Sequence, residues 1–184
     1  MQASDLLMQS LAYLTPLSDD LPILDLACGT GRNGLCLLDN GHDVVFADKN
    51  LESLAQIKQQ LLTEQYQESR DYAKFWSVDF EQENFTDLAA KQFAAIVVFR
   101  YLHRALFPQI KQAIVPGGAI VYETFTQAQA QYGRPTNPDF LLKPQELKAQ
   151  FADWNILHYY EGVVDNEQND TKQAIAQIIA IKPS

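Results

Sequence analysis

The stretch "ILDLACGTGRNG", residues 23–34, places a short apolar run directly before three closely spaced glycines. Its last six residues fit the pattern G-x-G-x-x-G, in which a strand ends, the chain turns tightly and a helix begins. Glycines at such a turn let a ligand approach the backbone closely at the carboxyl end of the strand. A dinucleotide diphosphate would fit this turn, and so would other nucleoside ligands, so the glycines alone leave the ligand open.

Asp25 bears on that choice, because its carboxylate is expected near the end of the strand, four residues before Gly29. At roughly 6 Å from a diphosphate, this charge would cost on the order of 3 kcal/mol at an effective dielectric constant of about 20. Next to an ammonium group the same carboxylate would be attractive. Asp25 therefore disfavours an NAD-dependent oxidoreductase and favours a ligand with a positively charged amino group.

Apolar runs alternate with helical patterns along the chain, which is typical of a mostly parallel sheet covered by helices on both faces. Five parallel strands are predicted in "PILDLA", "HDVVFAD", "AKFWSVDF", "FAAIVVF" and "GAIVYETF". A first helix is predicted to end before Pro16, and a second to be closed by Gly41. Asn50 is suited to cap a third helix, a fourth is predicted to enter at Pro108, and a fifth to lie near 144–152.

The end of the chain predicts a different connection. The runs "NILHYYEGVV" and "KQAIAQIIAI" are separated by "DNEQNDT", which is too short to hold a crossover helix, so these strands must pair antiparallel. We therefore predict one α/β domain over residues 1–184, with a Rossmann-like, doubly wound sheet of seven strands that an antiparallel hairpin closes. Residues 126–142 are predicted to form a long loop, and a loop of this length is usually functional.

Composition limits the class of partner. The net charge of −9 would repel a phosphate backbone, so nucleic acid is an unlikely partner. The apolar runs are too short to cross a bilayer, and the start of the chain lacks the basic segment of a leader peptide. The two cysteines have no metal-ligand spacing around them, so no metal is expected. We expect a cytoplasmic protein, monomer or homodimer, that works away from the membrane.

The segment D-x-x-C-G-T-G, residues 25–31, resembles motif I of class I S-adenosylmethionine-dependent methyltransferases. Acidic residues then follow two later strands, as in that family. The resemblance implies that Asp48 takes both ribose hydroxyls, a role that would fit NAD equally well. It also implies that Asp79 meets the adenine amino group and that the backbone N–H of Phe80 meets the ring. The alternative for Asp79 is a turn or a helix cap.

The segment "VVFRYLHR" contains the end of the fourth predicted strand. The resemblance implies that backbone carbonyls near Phe99 and Arg100 accept hydrogen bonds from the methionine ammonium. The resemblance implies S-adenosylmethionine as the cofactor, with a helix in residues 1–19 covering its site. The positions predicted to bind the cofactor are Asp25, Ala27, Gly29, Gly31, Asp48, Lys49, Asp79, Phe80 and Phe99.

The acceptor of the methyl group is expected at the loops after the fourth and fifth strands. We predict His103, Arg100 and Tyr101 as catalytic residues. His103 either takes a proton from the acceptor or packs against the following helix, and Arg100 either clamps an anionic acceptor or pairs with Glu123. Positions predicted to contact the acceptor are Arg104, Glu123, Tyr132, Arg134 and Asn137.

Segments beyond the cofactor motifs narrow the resemblance. "RYLHRALFP", "GGAIVYETFT", "GRPTNPDFLL" and "PQEL" together resemble small bacterial methyltransferases that are classed with the tellurite-resistance, or TehB-like, enzymes. This likeness implies a small-molecule acceptor, anionic or metalloid in nature. Two alternatives stay open: an RNA methyltransferase, which would need a basic surface, and a module that binds the cofactor without catalysis.

Overall fold

A computed structural model describes residues 2–14, 21–83, 85–166 and 171–184. Within these ranges the chain alternates strands and helices. In chain order the strands are β1 (Ile23–Leu26), β2 (Val44–Asp48), β3 (Ala73–Ser77), β4 (Phe93–Phe99), β5 (Ile114–Phe125), β6 (Asn155–Asn166) and β7 (Thr171–Ile181). The α-helices are α1 (Asp5–Leu14), α2 (Arg32–Asp39), α3 (Leu51–Gln60), α4 (Leu106–Ala113) and α5 (Glu146–Gln150).

The seven strands form one sheet in the order β3-β2-β1-β4-β5-β7-β6. Every pairing from β3 to β5 is parallel, and β7 is antiparallel to both β5 and β6. The predicted seven-stranded α/β sheet with a closing antiparallel hairpin is therefore confirmed. The strand order reverses between β1 and β4, and open α/β sheets bind ligands at the carboxyl ends of the strands beside such a reversal.

Helices cover both faces of the sheet. Leu7 of α1, Leu37 of α2 and Ile57 of α3 belong to one buried cluster. Ile110 of α4 and Leu147 of α5 belong to a second cluster on the other face. All seven residues of β4 are buried, because this central strand has helices on both sides. None of the helices in the described ranges combines the length and apolar character that a bilayer crossing requires.

Several predicted boundaries need correction. The helix α4 begins at Leu106, so Pro108 occupies its third position, where the N–H has no intrahelical partner in any helix. The strand β3 ends at Ser77, which leaves Asp79 two residues beyond it. The helix α5 is shorter than the range 144–152 predicted for it. Residues 15–20, with Pro16, and most of the polar turn before β7 lie outside the described residues.

The segment 126–142 is more ordered than the prediction of a long loop. It holds two 3₁₀ helices, Gln127–Gln131 and Pro138–Phe140, and a parallel bridge joins its two ends. The buried side chain of Gln129 accepts a hydrogen bond from the Ala174 N–H at 2.8 Å and donates one to the Arg134 carbonyl at 3.2 Å. A contact over 45 residues of sequence thus orders the segment, and no local pattern could predict it.

Candidate active site

Two adjoining cavities open at the carboxyl ends of the parallel strands. The smaller cavity has a volume of about 220 Å³ and lies at the ends of β1, β2 and β4. The larger cavity, of about 440 Å³, lies between the start of α1, the start of α2 and the hairpin β6–β7. Arg100 lines both cavities and therefore marks the boundary between them.

The three glycines of the turn serve different purposes. Gly29 adopts a positive φ of 53°, and a Cβ there would face open space. At Gly31 a Cβ would lie 2.7 Å from the Ile57 side chain, so this glycine permits the close packing of α3. Gly34 has a comparable packing role against β2. Only Gly29 therefore combines a left-handed backbone with an open approach for a ligand.

Asp25 lies under the turn and not at a cavity wall. Its side chain is 2% exposed, and Oδ2 accepts a hydrogen bond from the Gly34 N–H at 2.8 Å. The carboxylate that the sequence predicts to face the ligand is instead covered by protein. The reason is packing: the start of α2 folds back over β1 and covers the side chain. Asp25 therefore shapes the turn from below.

The pH dependence of stability tests the burial of Asp25. Burial raises the pKa of Asp25 from 3.8 to about 7, against the effect of the Gly34 N–H, and the Asp48 carboxylate raises it further. The folded state thus holds this proton more tightly, and the stability it contributes is lost as pH rises from about 4 to about 7. We expect Asp25→Asn, which keeps an acceptor oxygen but does not titrate, to reduce the change in unfolding free energy between pH 4 and pH 7 by about 1–3 kcal/mol, as measured by urea unfolding. An unchanged slope would contradict the burial of a titrating carboxyl group.

The smaller cavity has the features that a ribose site requires. Asp48 accepts hydrogen bonds from the Gly29 N–H and the Asn50 N–H, each at 2.8 Å. An ionised carboxylate offers about four lone-pair positions, so about two remain for a pair of hydroxyl groups. Asn50 also caps α3, as predicted, by accepting from two N–H groups of its first turn. These hydrogen bonds hold the end of β2 in place beside the cavity.

The remaining wall of the smaller cavity is mixed in character. Asp79 accepts a hydrogen bond from the Glu81 N–H at 3.0 Å, the turn geometry given above as its alternative, and it also lines the cavity. Phe80 is 3% exposed, and Lys49 lies 2.9 Å from the Glu81 carboxylate. Burial raises the pKa of the Tyr101 phenol, and the Glu81 carboxylate adds to this effect. This wall therefore combines apolar and aromatic surface with carboxylate hydrogen-bond acceptors.

Two contacts hold the guanidinium of Arg100 in the larger cavity. Its Nη2 lies 3.1 Å from Glu123 Oε1, which is the pairing given above as the alternative to a direct clamp. Its guanidinium carbon lies 4.4 Å from the centre of the Phe125 ring. Burial lowers the pKa of Arg100, Glu123 raises it, and the neighbouring Arg32 lowers it.

The backbone at the boundary is strained. Arg100 and Ala27 adopt φ values of 58° and 55°, which non-glycine residues rarely do. Both residues line the smaller cavity. Strain of this kind persists where the surrounding structure enforces it, commonly at functional sites.

Other predicted site residues lie outside both cavities. Arg104 donates to both carboxylate oxygens of Glu146, at 2.7 and 2.9 Å, and to two carbonyls of the segment before α5. These contacts anchor that segment and use the guanidinium donors that the predicted acceptor contact of Arg104 would need. His103 is partly buried, and its carbonyl accepts from the Leu106 N–H at the start of α4. Phe99 ends β4 and is 8% exposed.

The predicted acceptor residues of segment 126–142 are at the surface. Tyr132 is 38% exposed, and Arg134 is exposed as well. Asn137 caps the second 3₁₀ helix by accepting from the Asp139 N–H at 3.0 Å. None of these three lines either cavity among the described residues.

The structure adds residues that the sequence-based prediction missed. Arg32, the first residue of α2, and Gln177 of β7 line the larger cavity. Ser4 and Asn33 join α1 to α2, because the Ser4 N–H donates to Asn33 Oδ1 at 3.0 Å. The position of Arg32 inside the glycine motif was a signal in the sequence. Gln177 lies in an apolar strand and gave none.

The chain has a class I methyltransferase fold: a doubly wound sheet with one antiparallel strand, a glycine turn after β1 and a carboxylate at the end of β2. The crystal structure of TehB from Haemophilus influenzae has this fold: its TM-score is 0.74 at 22% identity, over 96% of this chain and 61% of that one. The glycopeptide N-methyltransferase MtfA in complex with S-adenosyl-L-methionine has a TM-score of 0.63 at 16% identity, over 98% and 95%. The chain belongs to the TehB family: its residues 16–179 match the family described as "Tellurite resistance protein TehB".

A curated relative agrees with this assignment. The "Probable S-adenosyl-L-methionine-dependent methyltransferase TehB" of Haemophilus influenzae (strain ATCC 51907 / DSM 11121 / KW20 / Rd) is 29% identical over 171 residues. The match covers 87% of this chain and 57% of the relative. The chain therefore spans little more than half the length of that protein.

Proposed function

We propose that this chain is an S-adenosylmethionine-dependent methyltransferase that acts on a small anionic acceptor, metalloid oxyanions included. The observation that carries the proposal is the pair of adjoining cavities that share Arg100. One cavity offers free lone pairs of Asp48 to a ribose, and the other offers a fixed guanidinium to an acceptor. The name of the curated relative supports the cofactor, and the family description, which names tellurite resistance, is compatible with a metalloid acceptor.

The residues of the smaller cavity fit the nucleoside half of this cofactor. Asp48 would accept from both ribose hydroxyls, while Asp79 and the Phe80 N–H would meet the adenine edge. Gly29 leaves open the space over the turn that the methionine half needs. When bound, S-adenosylmethionine supplies an activated methyl group and a neutral thioether leaving group.

Positioning and water exclusion carry the remaining catalysis. An in-line displacement requires the acceptor atom, the methyl carbon and the leaving sulfur to align, and holding that geometry removes much of the entropic barrier. Arg100 is suited to fix an anionic acceptor because Glu123 and Phe125 already hold its guanidinium. Residues 2–5, which lead into α1, line the cavity and are proposed to exclude water from it when the ligands are bound. Tyr101 lines the smaller cavity, and we propose that its ring forms the side of the methyl-transfer position that faces this cavity.

Titration calorimetry with three ligands tests the cofactor. S-adenosylmethionine and S-adenosylhomocysteine are expected to bind, and NAD is not. Binding of NAD alone would overturn the proposal. Transfer of labelled methyl is then measured with tellurite, selenite, small thiols and transfer RNA as acceptors. Transfer to RNA alone would reassign the enzyme, and cofactor binding without any transfer would identify a binding module.

Substitution of His103 tests whether a general base is used. His103 lies outside both cavities, so the structure favours the packing alternative. We expect His103→Ala to keep S-adenosylhomocysteine affinity within about twofold and turnover within about threefold, because a lost general base would cost about 10²–10⁴. A loss of a hundredfold in kcat at unchanged cofactor affinity would restore His103 as the base.

We also propose a reducing compartment such as the cytoplasm. Both cysteines, Cys28 and Cys36, are free thiols, which is the usual state of cysteine in that compartment.

A further inference from the structure

A row of polar side chains crosses the hairpin from edge strand β6 to the larger cavity. His158 Nε2 lies 3.3 Å from Gln177 Oε1, and Gln177 Nε2 donates to Glu123 Oε2 at 2.6 Å. The other oxygen of Glu123 lies 3.1 Å from Arg100 Nη2. Four consecutive side chains therefore connect the outer strand with the guanidinium at the boundary of the two cavities.

The strand register brings these side chains together. Gln177 lies directly opposite Glu123 in the antiparallel pair β5–β7. On its other side Gln177 is opposite Tyr160, and His158 is the diagonal neighbour two residues away along β6. Directly opposed and diagonal side chains on one face of a sheet are within reach of each other. The hairpin thus supplies two polar groups to a site formed mainly by the parallel strands.

The chemistry of the groups fixes the direction of the hydrogen bonds. An ionised carboxylate only accepts, so Gln177 must present its NH₂ group to Glu123. Its carbonyl oxygen then faces His158, and the ring nitrogen Nε2 must carry a hydrogen to donate to it. His158 therefore orients the amide of Gln177, and Gln177 in turn orients the carboxylate of Glu123.

Burial explains why this orientation matters. Glu123 is 4% exposed, and a buried carboxylate is costly unless donors surround it. Among the residues that the structure describes, the side chains of Gln177 and Arg100 donate to it. Loss of the Gln177 donor would let Glu123 turn toward other donors, and Arg100 would lose its fixed direction.

We propose that Gln177 and His158 are positioning residues that hold Glu123, and through it Arg100, in the geometry that binds the acceptor. This inference rests on the proposed function, since it assigns the larger cavity to the acceptor. It predicts an effect mainly on acceptor binding, because Gln177 and Glu123 line the larger cavity and neither Gln177 nor His158 lines the smaller one.

The test compares Gln177→Leu with Gln109→Leu, using tellurite as the acceptor probe. Gln109 lies on α4 outside both cavities and donates to the Phe85 carbonyl, so the control makes the same chemical change elsewhere. We expect Gln177→Leu to raise KM for tellurite about tenfold, the size of one lost hydrogen bond to a charged group, with S-adenosylhomocysteine affinity within about twofold. Gln109→Leu is expected to change neither quantity.

A second readout does not depend on turnover. NMR signals of the Arg100 guanidinium, assigned by their absence in Arg100→Lys, are expected to be sharp in the native protein and exchange-broadened in Gln177→Leu. If the native protein transfers no methyl group while these signals behave as stated, the proposed function fails and the orientation of Arg100 stands. Unchanged signals together with an unchanged KM would overturn the inference.

Variants of His158 test the inference independently if Gln177→Leu does not fold. His158 is on the edge strand, where substitution disturbs packing least. We expect His158→Leu to raise KM for tellurite about threefold, and His158→Gln, whose NH₂ group can replace the Nε2 donor, to restore most of that loss. Equal losses in both variants, or parallel changes in KM, kcat and cofactor affinity, would indicate a general structural effect and overturn the inference.

Discussion

Asp48→Ala is expected to weaken S-adenosylmethionine binding about 10- to 150-fold. Hydrogen bonds to a charged group contribute about 1.5–3 kcal/mol, and every 1.4 kcal/mol corresponds to roughly a tenfold change in the dissociation constant. The proposal gives Asp48 both ribose hydroxyls. The same carboxylate accepts from the Gly29 and Asn50 N–H groups, so its removal also loosens the turn that shapes the cavity.

Calorimetry on two matched variants separates these contributions. Asp71→Ala removes an exposed carboxylate outside both cavities and is expected to leave the dissociation constant unchanged. Asp48→Asn keeps one acceptor oxygen and should fall between the native protein and Asp48→Ala. A native-like dissociation constant for Asp48→Ala would mean that the ribose lies elsewhere and would remove the main support for the cofactor site.

Gly34→Ala is expected to lower the free energy of unfolding by about 2–3 kcal/mol. A Cβ at this position would overlap the Phe46 ring and would lie 2.9 Å from Asp25 Oδ2. Inserted atoms in a packed core commonly cost about 1–3 kcal/mol, and this cost exceeds the gain of about 0.5–1 kcal/mol that alanine brings to a helix. The added Cβ would also disturb the hydrogen bond that the Gly34 N–H donates to Asp25.

Urea unfolding measures this loss, with Gly41→Ala as the control. Gly41 has a φ of 83°, but nothing lies within 4 Å of its Cβ position, so that variant carries backbone strain of about 1–2 kcal/mol without a clash. Adding Phe46→Leu to Gly34→Ala should recover part of the loss, because it makes room beside the new methyl group. A stabilised Gly34→Ala protein would show that α2 can move away from β2 at low cost.

Local patterns predicted most elements because their causes are local. The seven residues of "FAAIVVF" form β4 without an error at either end, since a fully apolar run fits a strand with helices on both sides. The cap at Asn50 depends only on the N–H groups of Glu52 and Ser53, two and three residues later in the chain. The short connection before β7 excluded a crossover helix, so chain length alone required an antiparallel pair.

Positions that depend on distant partners were beyond local patterns. Arg104 has the same residue type as Arg100 and stands four places away, yet it binds Glu146, 42 residues later. Asp25 was expected against a ligand, and its burial under α2 follows from how a helix packs on β1. The polar residues of β7 and β6 gave no signal, because their partners lie on other strands.

The sequence by itself determined the order of strands and helices, the glycine turn and the carboxylates that follow β2 and β3, because each follows from apolar periodicity or from residues adjacent in the chain. Only the tertiary structure decided which charged groups face a cavity and which are used inside the protein. That choice depends on register and packing between strands far apart in sequence. Arg100 is accordingly held by Glu123 and Phe125 at the cavity boundary, while Arg104 anchors a segment elsewhere.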